Sequence, residues 1–321
     1  MRNGKISIVS VVCMLILASC TVGNDDYTNI LSFEPAQAVT ALGAGPREPI
    51  SPGNVFAPST GLEYERQGSV TIDTSNVSRG YIMIRYEGTA DRAVARVEKP
   101  GADHPYDFNL TKGGQWDVVT MTRGNGTYRI TVLENVQDRM FTTVLTTSVD
   151  VTLKDPLLPF LYPNRFVNFN ANSRAVALAE ELAKSAENDL EVVRRIYEYI
   201  ISNIKYDHDL AEMITADMVT SYIPDVDRTL RTGRGICFDY AALMTAMLRA
   251  QHIPARLEIG FVSETVFHAW VSVYIGDAGW INSVQFDGSG WSRLDPTFSA
   301  NIAELGGLMD GESSYNMIFA H

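Results

Sequence analysis

Three residue types in the second half of the chain could do nucleophilic chemistry together. The stretch "GRGICFDYAALMTAMLRA", from Gly233 to Ala250, contains Cys237. Two glycines before it allow a tight turn. The apolar run after it predicts a helix that begins at the cysteine. A thiol at a helix start meets unpaired N–H groups and the positive end of the helix dipole, a setting that favours thiolate. The same N–H groups can hold an oxyanion. Against this stands the ordinary use of a free cysteine as a small buried apolar residue.

A thiolate needs a proton acceptor, and the chain has five histidines. His321 closes the sequence. His104 sits in a proline-flanked loop, His208 follows a helix, and His252 lies at the far end of the cysteine helix. His268, in "FHAWVSVYI", is on a predicted core strand. It shares one strand face with Trp270, Ser272 and Tyr274. A base needs an orienter that fixes its tautomer. Asp295 in "RLDPTF" is the best candidate, because Pro296 biases it toward an extended strand end. Asp277 and Asp287 are rivals, but both read as hairpin tips. A strand histidine or an Asp-Pro pair is, taken singly, more often structural.

The elements that must position these residues can be read from the pattern. Between Phe238 and Ala250 only Asp239, Thr245 and Arg249 are clearly polar, so the cysteine helix should be buried on all sides. "IPARLEIGFV" and "FHAWVSVYI" read as neighbouring strands. Upstream, Ser173 can cap a helix over "RAVALAEELAKSA", and Asn188 or Asp189 can cap the next. That second helix has an apolar stripe of Val193, Ile196, Tyr197, Ile200, Ile201 and Ile204.

The blocks "GRGICFDYAALMTAMLRAQHIPARLEIGF", "HAWVSVYI" and "WSRLDPTF" resemble, in order, the three motif blocks of the transglutaminase-like superfamily, a branch of the papain-like cysteine enzymes. The resemblance spans residues 174–300. It implies Cys237 as nucleophile, His268 as general base and acid, and Asp295 as orienter. It implies an α+β, papain-like transglutaminase core, with the cysteine at the start of a central helix packed on an antiparallel sheet. The spacings are 31 residues (268 − 237) and 27 (295 − 268). A second oxyanion donor usually lies upstream in such proteins, and Tyr222 in "SYIPDVD" is the expectation here. The segment "GDAGWINSVQFDGSG" intervenes before Asp295 and predicts a hairpin with Trp280 at its start.

The rest of the chain sets the context. Arg2 and Lys5 precede an apolar run, Ile6 to Ala18, of export-signal length. "LASC" then resembles a bacterial lipobox, with Cys20 lipidated as the mature first residue. Losing residues 1–19 removes those two cations, taking the formal charge from −12 to −14. This balance argues against a nucleic-acid partner. It also leaves Cys237 as the only thiol apart from the lipidated one, so no disulfide framework is expected.

Residues 20–52 read as a tether. Short alternating strands with Gly and Asn/Asp turns make residues 53–155 a β-sandwich of Ig-like type. Pro156, Pro159 and Pro163 mark a junction to a catalytic domain over 156–321. No zinc-type spacing and no Gly-rich nucleotide loop is present, so no cofactor is expected.

The sequence therefore predicts a lipid-anchored cell-envelope cysteine enzyme. It would act on carboxamide or peptide bonds through a thioester, with protein or peptide substrates, cell-wall peptide included. Transfer to an amine, proteolysis and deamidation all fit. A catalytically idle envelope binding module is the alternative of another class.

Overall fold

The computed structural model describes residues 39–40, 56–102, 104–138, 140–219, 221–263, 266–285, 292–301 and 314–321. The export signal and Cys20 lie outside the described residues. Among the described residues no helix is long and apolar enough to cross a membrane. Within the stretch read as a tether, strand β1 (Val39–Thr40) is described.

Eight strands form two four-stranded antiparallel sheets. These are β2 (Tyr64–Gln67), β3 (Val70–Asp73), β4 (Tyr81–Tyr86), β5 (Ala93–Glu98), β6 (Tyr106–Asn109), β7 (Trp116–Thr120), β8 (Gly126–Gln137) and β9 (Met140–Val151). The sheet orders are β2-β3-β4-β7 and β6-β5-β8-β9. β4 pairs with β7 and β5 with β8, the crossover of a Greek-key sandwich. Period-2 alternation explains the core: Ile72, Ile82 and Ile84 from one sheet and Ala95, Val97, Ile130 and Val132 from the other join one buried cluster. Tyr128, buried near the start of β8, turns its hydroxyl back to the Gly124 carbonyl at 2.8 Å and pins the preceding turn.

The second half is built around helices α1 (Arg174–Ala183), α2 (Asp189–Asn203), α3 (His208–Thr215), α4 (Val226–Thr232), α5 (Cys237–Ala250) and α6 (Pro296–Ala300). All fourteen residues of α5 are buried. Ala, Leu and Met dominate it, and these favour helix intrinsically. It packs on β12 (Ala255–Val262) and β13 (Val266–Ile275) on one side and on α1, α2 and α4 on the other. The cysteine strand-turn is set by β10 (Lys205–Tyr206), paired in parallel with β11 (Arg234–Gly235). Gly233 ends α4 with φ +63°, a left-handed residue that returns its N–H to Thr229 and redirects the chain into β11.

The sheet beside α5 has order β14-β13-β12-β17, with β14 (Gly279–Ile281) and β17 (Tyr315–Ala320) at its edges. β15 (Ser283–Gln285) pairs antiparallel with β16 (Ser292–Arg293), as the predicted hairpin requires, and in parallel with β1. Trp280 packs against Phe160, and the Arg256 guanidinium lies 3.5 Å from its ring centroid. That indole, on β14 just before the hairpin, therefore ties the sheet edge to the proline-rich junction.

Two capping expectations resolve differently. Asn188 caps α2, accepting from Glu191 N–H at 2.9 Å. Ser173 occupies the N-cap of α1, but its hydroxyl oxygen accepts from Asn170 N–H instead. Asp227 of α4 accepts from Ala175 N–H, so α1 is capped in part from a neighbouring helix.

Candidate active site

Cys237 is the first residue of α5, and its side chain is free and buried. Its backbone N–H belongs to the helix-start set that has no intrahelical acceptor. Ile236 supplies the N-cap backbone, and its N–H donates to Asp239 Oδ2 at 2.9 Å. Asp239 thus closes the turn from inside the helix.

His268 sits on β13 opposite Gly260 of β12. Its Nε2 lies 2.6 Å from Asp295 Oδ2. Cys237 is close enough to raise the pKa of the same imidazole, after Asp295. With Nε2 engaged by Asp295, the other ring nitrogen is the one left for sulfur. The sequence-predicted cysteine, histidine and aspartate therefore converge.

Burial opposes a charged imidazolium at His268, but the Asp295 carboxylate, followed by Cys237, outweighs it and pushes the pKa up to about 10. Burial likewise works against a charged Asp295, yet His268, the Phe298 N–H and the Tyr315 hydroxyl hold it below the usual carboxylate range. The pair is therefore ionic in the resting protein.

Asp295 is placed by a different device from the expected extended strand end. It is the N-cap of α6, with Pro296 as the first helical residue. Oδ1 accepts from Phe298 N–H at 3.0 Å, and Oδ2 accepts from His268 and from Tyr315, the latter at 2.9 Å. Leu294, just before it, is locked on β13 because Val271 N–H donates to its carbonyl. The rival Asp277 lies in a short 3-10 turn (Gly276–Ala278), and Asp287 falls outside the described residues.

Tyr222, the expected second oxyanion donor, is engaged with other partners. Its hydroxyl donates to Asp239 Oδ1 at 2.5 Å and receives a hydrogen bond from Arg228. Asp239 is a fully buried carboxyl, and Tyr222, Ile236 N–H and Arg228 together satisfy it. Tyr206, paired with Gly235 where β10 meets β11, is close enough for the charge of Cys237 to act on it. Burial, and after it the charge of Cys237, raise the pKa of Tyr206, so it stays a protonated donor. Its signal in the sequence was only a tyrosine at the end of the α2 stripe, in "IKYDHD".

The arrangement matches a known domain. The model of the transglutaminase-like superfamily matches residues 176–296, which include Cys237, His268 and Asp295. Residues 176–296 form a transglutaminase-like domain. No curated protein matches the chain. Among solved structures, a candidate cysteine protease from Cytophaga hutchinsonii is 17% identical, with a TM-score of 0.36, covering 81% of this chain and 83% of its own. The periplasmic domain of TgpA from Pseudomonas aeruginosa is 18% identical, with a TM-score of 0.32, covering 76% and 75%. A candidate protease from Parabacteroides distasonis is 14% identical, with a TM-score of 0.27, covering 66% and 62%. The transglutaminase-like domain has a cysteine-enzyme-type fold, and the mixed α+β core is the expected one.

Proposed function

We propose that this protein is an extracytoplasmic, lipid-anchored cysteine enzyme that cleaves carboxamide or peptide bonds through a thioester. One observation carries the reading: His268, whose Nε2 is held 2.6 Å from the buried Asp295 carboxylate, also feels Cys237, which begins a helix. In the first step the Cys237 thiolate attacks the carbonyl carbon, and the carbonyl oxygen becomes an oxyanion. We assign that charge to the Cys237 backbone N–H and the Tyr206 hydroxyl. The C–N bond then breaks as imidazolium His268 gives its proton to the departing nitrogen. In the second step an amine or water loses a proton to His268 as it attacks the thioester, and Cys237 leaves as thiolate. Asp295 holds the imidazole throughout and stabilises its cationic form.

The test uses the full chain. Iodoacetamide, a small reagent, should alkylate Cys237 at about pH 6 despite its burial. His268→Ala should slow that reaction by about tenfold or more and abolish turnover of a peptide library. Product analysis with and without added amine separates transfer from hydrolysis. Alkylation at pH 6 that is indifferent to His268→Ala would favour the idle binding module.

Attachment rests on Cys20 in its lipobox-like context. Two acyl chains on one residue would hold the protein at a membrane, where a single chain binds only reversibly. Cys20→Ala should release it into the soluble fraction or stall its processing. A mature N-terminus found unmodified at another residue by mass spectrometry would remove this part of the proposal.

A further inference from the structure

Asp295 takes a hydrogen bond from a residue that no motif block contains. Tyr315 stands 20 residues downstream, at the start of β17, and its hydroxyl reaches Asp295 Oδ2 at 2.9 Å. That is the oxygen His268 uses, while Oδ1 is occupied by Phe298 N–H. Both oxygens are thus tied, and the carboxylate cannot turn about its own axis without breaking a bond. The Tyr315 ring stands edge-on to Trp270 at 4.9 Å between centroids, and near-perpendicular to His268 at 6.5 Å.

The strand that brings Tyr315 there is fitted to the task. β17 pairs antiparallel with β12, and its register shifts between Ile259 and Gly260. Gly260 faces His268 across one side of β12 and Met317 across the other. A Cβ on Gly260 would overlap the Asn316 carbonyl oxygen, so only glycine lets β17 close in at the level of the histidine. At its far end the strand is anchored twice. Phe319 and the following His321 pack on Tyr106 of β6, and the Arg249 guanidinium donates to the His321 carbonyl at 2.5 Å.

We propose that Tyr315 is a positioning residue for the His268–Asp295 pair, carried to it by a strand clamped at Gly260 and on the β-sandwich. The role rests on reading His268 and Asp295 as base and orienter. Tyr315 acts through the carboxylate. Removing its hydroxyl takes one donor from the ionised Asp295 and frees the group to rotate. Ionised Asp295 then becomes harder to keep, so its protonation moves to higher pH.

The experiment reads the Hε2 proton of His268 by NMR in the full, nitrogen-15-labelled chain. A short bond to a carboxylate should place it far downfield. In Tyr315→Phe, which keeps the ring, the pH at which this resonance disappears on acidification should rise by about one unit or more. The rate of Cys237 alkylation by iodoacetamide at pH 6 should fall about tenfold. Tyr274→Phe, a phenol on the same sheet away from the pair, should leave both unchanged. Gly260→Ala should shift the resonance in the same direction as Tyr315→Phe; if it does not fold, Tyr315→Phe alone decides. An unchanged resonance midpoint in Tyr315→Phe overturns the proposal, even with the enzyme reading intact. Conversely, His268→Ala leaving wild-type alkylation untouched would remove the enzyme reading, while the resonance would still decide what Tyr315 does.

Discussion

His268 gains its proton against burial, and the consequence is measurable as stability. Its pKa is about 10 in the folded chain against 6.5 for an ordinary histidine. A raised folded value means that the contribution to stability is complete below about pH 6.5 and is lost as the pH climbs toward 10. Asp295 runs the other way. Its depressed value contributes above the ordinary carboxylate pKa of 3.8 and is lost as the pH falls through the folded value. Stability from the pair should therefore be flat between about pH 4 and 6.5 and decline on both sides. His268→Gln should flatten the alkaline decline, as read by urea unfolding at about pH 6 and pH 9. Asp295 shows why a substitution must be chosen with care. Asp295→Ala removes a helix cap and strands a buried imidazolium, and should cost about 3–5 kcal/mol in the same assay. Asp295→Asn keeps the α6 cap and isolates the electrostatic role. It should leave the fold in place and lower turnover by about a hundredfold or more.

Among the elements, α5 was the easiest to read and carries the least expected side chain. Its near-continuous apolar run announced burial on every side, and the structure buries every residue in it. Arg249 was counted there as merely polar. It is wholly buried and donates to the carbonyls of Ala255, Tyr162 and His321 at 2.5–3.0 Å. Burial pulls its pKa down to about 9, and the three carbonyls keep the guanidinium satisfied. Arg249→Met should destabilise the chain by about 3–5 kcal/mol, because it leaves buried acceptors empty. Arg249→Lys should recover little of this, since an ammonium cannot span the same fork. Urea midpoints of the three proteins decide it.

The strands of His268 and the sandwich were legible through period-2 alternation, and Asp295 through its Asp-Pro context. Its local geometry was not, because Pro296 suits the first turn of a helix as well as it suits an extended neighbour. Tyr206, Tyr315 and the capping of α1 by Asp227 were invisible for one reason. Each depends on a contact between distant segments, and nothing within a few residues of them marks it.

For the molecule as a whole, the residues of the proline-rich junction pack in both directions. The Tyr162 ring lies 4.7 Å from that of Tyr81 in β4, and its hydroxyl accepts from Arg79 at 2.9 Å. Phe166 meets Phe108 of β6 on one side and Phe238 of α5 on the other. A fragment beginning at Leu161 should thus expose Tyr162, Phe166 and Phe319. It should lose of order 5 kcal/mol relative to the full chain, from apolar surface alone. Thermal unfolding should show one cooperative transition for the full chain and a lower, broader one for the fragment. Two well-separated transitions in the full chain would instead speak for independent halves.

The thiol itself is hard to reach. Cys237 is 3% exposed, His268 4% and Asp295 not at all. Any reagent must then wait for the protein to breathe. The observed labelling rate becomes the fraction of time the cleft stands open multiplied by the intrinsic rate of the exposed sulfur. Reagents of equal chemistry and unequal size should separate sharply, the small haloacetamide running ahead of a bulky dye-linked one. The same gate would shelter the sulfur from peroxide, which otherwise carries an exposed thiolate up the ladder to sulfenic and sulfinic acids. In an oxidising compartment the low duty cycle of that opening would set how long the nucleophile survives between turnovers.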